Sequence, residues 1–328
     1  MSRFCALVLA TLLAAAPAVR AQTSTGSAES WPNRPIRVVY PFSAGGVGDS
    51  SFRFLAPAIE ARLGQRFVIE ARPGAAGNIA AAEVARAAPD GYTLLMAATS
   101  VLAVNPHIFK NLGYDPLTAF DPITTYSESA PVLFVNAQLP ATSLKEFIGY
   151  ARANPGKLYY GSPGIGSPSH LVSELISQMA GARMTHVPYK GTPPMVQALL
   201  ANDVQSICTT LGAAMAHVKS GRLRVLASTS SERLPDAPDL PTAREQGFPE
   251  LTASNWWGLV APRGTNPRII ERLSAEIRAA LADPAARRRI IELGMSVLGS
   301  TPAEFASLIK ADSARWKTVV EGAGITAE

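Results

Sequence analysis

The sequence predicts an α/β protein of two lobes, each a sheet flanked by helices. Short apolar strands alternate with helical segments of about ten residues, the pattern that builds parallel sheets with helices on both faces. The length of 328 residues suits two domains of roughly 150 residues each. Pro-rich stretches around Leu112–Pro122 and Leu234–Pro241 bracket one self-contained α/β unit. The chain is therefore expected to leave one lobe, build the other and return, and a double crossing of this kind makes a hinge.

The elements follow in order. Ile36–Tyr40 is an apolar strand. It runs into the small-residue loop Pro41–Gly48, and Asp49 is read as the cap of a helix from about Ser50 to Leu63, closed by Gly64. Phe52, Leu55, Ile59 and Leu63 share one helical face, and Pro57 is expected to kink or shorten it. Phe67–Glu70 is the next strand, Asn78 is read as the cap of an Ala-rich helix to about Ala87, and Tyr92–Ala97 is a buried strand. Val132–Val135 opens the middle unit. Ser143 and Glu146 form a capping box for the helix that follows.

Strand Leu158–Tyr160 leads through Gly161–Ser167 to a helix from about Ser169 to Ala180. Met184–Val187, Val204–Cys208 and Leu223–Ala227 are strands, and Thr192-Pro193 starts a helix. The C-terminal part reads as strand Trp257–Ala261, helices near Pro267–Leu281 and Pro284–Leu293, and a last helix announced by Thr301-Pro302-Ala303-Glu304.

Composition bounds the function. Arg3, the apolar run Ala6–Ala16 and Val19-Arg20-Ala21 read as a cleavable secretion signal at 1–21, too short to span a bilayer. Without it the chain has 28 basic against 25 acidic residues, a mild balance that does not suit a nucleic-acid binder. Arg287-Arg288-Arg289 reads as a solvated helix face. Cys5 falls in the signal, so Cys208 is the sole cysteine beyond it and no internal disulfide is possible there. The lobes are drawn as 22–123 plus 228–328 and 124–227.

Three loops share one design: Ser43-Ala44-Gly45-Gly46, Ala75-Ala76-Gly77-Asn78, and Gly161 to Ser167. Each joins a strand end to a helix start, where open α/β sheets bind ligands. A helix N-terminus carries roughly half a positive charge and unpaired N–H groups, and small residues let an anion reach them. None of the three loops contains Lys or Arg, so recognition through backbone dipoles is expected. One such loop alone would be read as a tight turn. Three in one chain point to an acidic small molecule held between two lobes. Gly46→Val is expected to crowd this anion site and leave the fold intact.

Signatures of chemistry are weak. His107, His170, His186 and His217 make no zinc-type pair, and there is no Walker A sequence or G-x-S-x-G elbow. Gly164-Ile165-Gly166-Ser167 lacks the third glycine of a dinucleotide fingerprint. Ser167 and His170 could form a hydrolase dyad, but three residues apart at a helix start they suit capping better. Trp256-Trp257 could stack on a ligand or place one aromatic on each face of a buried strand. No metal or cofactor is expected, and a holding protein is favoured over an enzyme.

Several segments resemble the Bug family, the TctC-like substrate-binding proteins of tripartite tricarboxylate transporters. They are Trp31–Ile36, Pro41–Gly46 with Asp49, Arg72–Asn78, Pro89–Leu94, Asn154–Leu158, His186–Gly191 and Gly258–Pro262. The resemblance implies a periplasmic binding protein of the two-lobed Venus-flytrap, type II-like fold. It also implies a small organic acid or acidic amino acid as ligand, and membrane permease subunits as partners. The loops matching the family's carboxylate grip are Phe42 to Gly46 and Ser162 to Ser167. The expected contacts are Phe42, Ser43, Ala44, Gly45, Gly46, Ala76, Gly77, Asn78, Thr99, Ser162, Gly164, Gly166, Ser167, His170, Lys190 and Thr209. Thr209-Thr210, Pro163 and Val47-Gly48 depart from the usual family residues, so ligand identity does not transfer. A monomer is expected, and a sensory role in place of transport stays open.

Overall fold

The computed structural model describes residues 31–189 and 191–326. The expected signal at 1–21 and Lys190 lie outside the described residues. β1 (Ile36–Tyr40) buries Ile36, Val38, Val39 and Tyr40, as a strand covered on both faces should. α1 (Val47–Leu63), β2 (Phe67–Ala71), α2 (Asn78–Ala85) and β3 (Thr93–Ala98) follow. A π-helical turn at Ser100–Val104 then leads into the short α3 (Asn105–Ile108) and on to β4 (Phe120–Ser129).

The middle of the chain comprises β5 (Val132–Asn136), α4 (Leu144–Ala153), β6 (Tyr159–Ser162), α5 (Pro168–Ala180), β7 (Thr185–Pro188), α6 (Thr192–Ala201), β8 (Ser206–Thr209), α7 (Leu211–Lys219) and β9 (Leu223–Ser228). The end comprises β10 (Asn255–Pro262), α8 (Pro267–Leu281), α9 (Pro284–Glu292), β11 (Ser296–Val297) and α10 (Pro302–Ala323).

The strands form two sheets, in the orders β11-β4-β10-β3-β1-β2 and β7-β6-β8-β5-β9. Both are mixed, which corrects the expectation of parallel sheets. β1 pairs in parallel with β2 and β3, and β6 with β7 and β8. β10 runs antiparallel to β3 and β4, and β5 antiparallel to β8 and β9. The reason lies in the crossings. β5 and β10 each receive the chain from the other sheet, so they start at the edge where the parallel strands end and run against them. The passages between sheets are Ala130–Pro131 and the segment from Thr229 to Ser254.

α1 runs unbroken through Pro57, contrary to the expected kink or shortening. Pro57 and Arg53 both lie on the exposed side of the helix, so the Arg53 carbonyl that loses its partner faces water. Gly64 closes α1 with φ 73°, donating to the Glu60 carbonyl at 2.8 Å. α10 opens with the expected capping box of Thr301 and Glu304. For α4 only half the box forms, because the Glu146 carboxylate turns to the Thr142 N–H at 2.7 Å while Ser143 accepts from the Glu146 N–H.

The tryptophans of β10 face opposite sides, and both are buried, so neither is open to stack on a ligand. Trp256 packs edge-on against Phe305 of α10, with centroids 5.2 Å apart. Trp257 sits 5.7 Å from both Tyr40 and Phe42. One apolar cluster runs through both sheets, joining Val38 and Leu94 to Leu133, Tyr160 and Leu171. α10 contributes to this continuity, with the Gln178 amide of α5 donating to the Val319 carbonyl at 3.0 Å. Cys208 is free and buried, and burial pushes its thiol up to about 12.

Candidate functional site

The parallel strands β1, β2, β3, β6, β7 and β8 all end beside a helical start. How those helices begin separates them from the rest. α1, α2, α6 and α7 follow Gly46, Gly77, Gly191 and Thr210, none of which caps the helix with a side chain. α4 and α8, which follow the antiparallel strands and start at the opposite edges, are capped by Ser143 and Asn266. α9 and α10 are capped by Asp283 and Thr301. Helix starts far from the shared edge are thus closed by side chains, whereas those along it carry no side-chain cap. α5 is the exception, with Ser167 accepting from the His170 N–H at 3.2 Å.

In the first sheet the loop Ser43–Gly45 is exposed and Gly46 half-buried. Asp49 is not the cap. It is the third residue of α1, and its carboxylate reaches back to the Gly45 N–H at 2.8 Å and pairs with Arg53 at 2.7 Å. The Arg53 guanidinium thereby compensates the one acid in this helix's first turn. Phe42 is wedged edge-on between Tyr40 and Trp257, which gives the loop a rigid floor. Gly46 and Gly48 are small because their Cβ positions are already occupied, by the Tyr40 hydroxyl and the Trp257 ring respectively. This corrects the expectation for Gly46→Val: the branched side chain would displace buried Tyr40 as well as crowd the loop. Gly48→Ala is expected to destabilise the fold by about 1–3 kcal/mol, measured by urea unfolding. An unchanged midpoint would mean that the Trp257 ring yields at no cost.

The second loop packs on the first. Gly77, at φ 94°, lies where a Cβ would meet Val101 at 2.8 Å and Pro41 at 3.0 Å. Asn78 is likewise not a cap but the first residue of α2. Its Oδ1 accepts from Asn105 Nδ2 at 2.7 Å and from the Tyr114 hydroxyl at 3.0 Å, and Asn105 Nδ2 also reaches the Ala76 carbonyl at 3.0 Å. The Ala76 carbonyl can only accept, so Asn105 Nδ2 is a donor, which fixes the Asn78 amide's orientation and leaves its Nδ2 buried without a partner among the described residues. Ala76 holds φ 54°, an uncommon value for a residue with a Cβ. Thr99 is buried, and its hydroxyl accepts from the Trp256 N–H at 2.9 Å.

In the second sheet the loop after β6 is tied to itself. Ser162 Oγ accepts from the Gly164 N–H at 3.1 Å and meets His186 Nε2 at 2.7 Å. Ser167 Oγ donates to the Gly164 carbonyl at 2.7 Å. His170 Nδ1 accepts from the Gly166 N–H at 3.1 Å. Ser162, Ser167 and His170 therefore brace the loop through their side chains. They also make no hydrolase dyad, since it is the His170 backbone, not its ring, that meets Ser167 Oγ. Thr209 is buried at the end of β8. The two halves approach at Gly166, whose Cβ position lies 3.0 Å from Ile108 of α3.

Sequence reasoning missed Asn105, Tyr114 and His186 as the groups that hold these loops. His186, inside β7, stood in the sequence only as the start of the segment His186–Gly191. Among the described residues no group of three or more His, Cys, Asp or Glu is placed to hold a metal.

Two mixed sheets flanked by helices, joined by two passages and facing each other with helix starts, define the two-lobed periplasmic-binding-protein fold. Residues 51–325 match the family model described as tripartite tricarboxylate transporter family receptor, TctC. Protein BugT of Bordetella pertussis is 36% identical over 299 residues, covering 91% of this chain and 92% of BugT. The structure of R. palustris Rpa4515 with adipate is 36% identical with a TM-score of 0.74, over 90% of this chain and 99% of that one. MatC (Rpa3494) from Rhodopseudomonas palustris with bound malate is 34% identical with a TM-score of 0.71, over 88% of this chain and 100% of that one. The chain belongs to the TctC family of transporter receptors, and is a binding protein rather than an enzyme.

Proposed function

We propose that this receptor works in the periplasm, captures a small carboxylate between its lobes and delivers it to the permease of a tripartite tricarboxylate-type transporter. The observation that carries this reading is the contrast in helix starts. The first-lobe loops would grip the carboxylate through the backbone N–H groups of Ser43, Ala44, Gly46 and Ala76, since those of Gly45, Gly77 and Asn78 are bonded within the loops. Asn78 Nδ2 adds a buried donor with no partner of its own among the described residues. From the second lobe, the Ile165 N–H and the edge at Thr209 would face the ligand, with the Gly164 and Gly166 N–H groups held by Ser162 and His170. We take Ala130–Pro131 and the Thr229–Ser254 segment as the hinge between lobes. The adipate and malate of the two R. palustris structures agree with an acid of this size.

A ligand that binds only the folded state stabilises it by about 2.7 kcal/mol at a hundred times its Kd, or roughly 5 °C or more in Tm for a protein of this size. A thermal-denaturation screen of mono-, di- and tricarboxylates, with adipate and malate included, is expected to give such a shift with at least one acid. A flat response across the panel would remove the carboxylate reading.

A further inference from the structure

The loop Gly161–Ser167 is held from below by two histidines that come from different elements. His170 belongs to α5 and His186 to β7. Their rings stack with centroids 3.9 Å apart and an interplanar angle of 16°. Tyr160 of β6 stacks on the same pair, 5.0 Å from His186 and 6.2 Å from His170. Each histidine then holds a different point of the loop. His170 Nδ1 takes the Gly166 N–H at 3.1 Å, and His186 Nε2 meets Ser162 Oγ at 2.7 Å, which in turn takes the Gly164 N–H at 3.1 Å.

The hydrogen-bond pattern dictates protonation. His170 Nδ1 accepts, so the ring is neutral with its proton on Nε2. A second proton would go to Nδ1 and set a ring N–H against the Gly166 N–H. It would also place a charge 3.9 Å from the neighbouring imidazole. The loop would lose its anchor at Gly166, the residue that approaches Ile108 of the first lobe.

We propose that His170 and His186 are the positioning pair of the second-lobe ligand loop, and that protonation of the stack frees the loop and so releases the ligand. The inference rests on the carboxylate-clamp reading for its second half only. A groove of about 990 Å³ lined by His170, Glu174, Arg183, His186 and Glu321 gives protons access to the pair. The charged and titratable groups around it are few. Tyr160 donates its hydroxyl to Glu174, and Glu174 Oε1 lies 3.8 Å from His170 Nε2. Arg183 acts on Glu174, Cys208 of β8 lies behind Tyr160, and Glu321 of α10 lines the far wall. Burial pushes the carboxyl of Glu174 up, which weakens its claim as a counter-ion. Burial likewise pushes His170 down to about 3, with the neighbouring His186 adding to it, and His186 down to about 4. The switch therefore belongs to acid conditions.

The test uses two non-titrating replacements. His170→Asn puts Oδ1 where Nδ1 accepts, and His186→Gln puts Oε1 where Nε2 lies. Amide hydrogen exchange of the segment 163–167, corrected for intrinsic rate, is measured from pH 7.5 to 3.5 in wild type and in the double variant. Segment 93–98 of β3 serves as the internal control for global unfolding. The wild type is expected to lose protection at least tenfold in 163–167 relative to the control, the size of one lost hydrogen bond to a buried donor. The double variant should stay flat. Adipate and malate titrations over the same range should show affinity falling at least tenfold further in the wild type than in the double variant, which shares only the loss due to protonation of the acids themselves. A flat wild-type exchange profile, or a double variant that follows the wild type, overturns the proposal. Loop opening with no carboxylate bound at any pH would leave the positioning pair standing and remove the clamp reading instead.

Discussion

Asp312→Ala is expected to destabilise the protein by about 3–5 kcal/mol, the cost of leaving a buried ion partner uncompensated. Asp312 is only 7% exposed and serves two donors. Its Oδ2 takes the Trp256 indole N–H at 2.7 Å, and its Oδ1 pairs with Arg315 at 3.0 Å. Burial pushes the Asp312 carboxyl up, the Arg315 guanidinium beside it opposes that shift, and Arg315 itself stays charged. Alanine would strand both donors at once. Arg315 retains only the Thr252 carbonyl, and its Nε has no partner among the described residues. Urea unfolding is expected to show the full loss for Asp312→Ala. A smaller loss is expected for the double change Asp312→Leu with Arg315→Met, which removes donor and acceptor together. A single-variant loss below about 1 kcal/mol would mean that water replaces the carboxylate. The site would also respond, because Trp256 sets the register of β10, and the next residue, Trp257, is the wall against which Phe42 and Gly48 pack.

Much of the fold was legible because burial follows a period. Leu94–Ala98 is a continuous apolar run and Ile36–Tyr40 is one broken only by Arg37, and both are buried strands. α8 shows its stripe at Ile269, Ile270, Leu273 and Ile277, all buried. β4 was not legible. Asp121-Pro122 and the run of Thr124, Thr125, Ser127 and Ser129 read as a loop. Those hydroxyls are nevertheless buried, and several find partners on neighbouring segments: Ser127 meets Ser51 at 3.1 Å, and the Thr125 hydroxyl accepts from the Ser300 N–H at 3.2 Å. The register shift of β10 between Leu259 and Val260 falls where the strand pairs with Pro122, which has no N–H to give. α7 escaped because Ala214 is its one buried residue, which leaves no apolar stripe to read.

The loops of the site were legible from their glycines, but the roles of the side chains beside them were not. Asp49 and Asn78 have the right chemistry for caps, yet each is displaced into the helix by a glycine that takes the cap position. Local sequence carries propensity, while the partner that captures a side chain is set by a distant element. Asn105 captures Asn78 from 27 positions away, and His186 captures Ser162 from 24. That distinction decides the chemistry. It makes Ser162, Ser167 and His170 braces of the loop that follows β6.

Acidification is expected to destabilise the wild type relative to the His170→Asn, His186→Gln double variant, beginning near pH 6.5. The sign follows from the folded-state shifts. Burial lowers His170 to about 3 and His186 to about 4, whereas both titrate near 6.5 once unfolded. Between those values the unfolded chain binds more protons than the native one, so stability falls as pH falls. His170, 4% exposed, should contribute about 1.4 kcal/mol per pH unit within that window. His107, held by Ser313 at 3.0 Å, is also pushed down by burial and acts in the same sense. Glu128, Glu174 and Asp312 act in the opposite sense, since burial raises their carboxyls and the native state takes up protons there first. A single melting curve against pH would mix these contributions. The difference between wild type and double variant cancels all but the stacked pair, apart from the coupling of Glu174 to His170. Melting temperatures recorded from pH 7.5 to 4 should therefore diverge steadily below 6.5, with the wild type falling faster. Parallel curves would mean that the two imidazoles are solvated well enough to accept protons in the folded state, and that their stacking is no obstacle to charge.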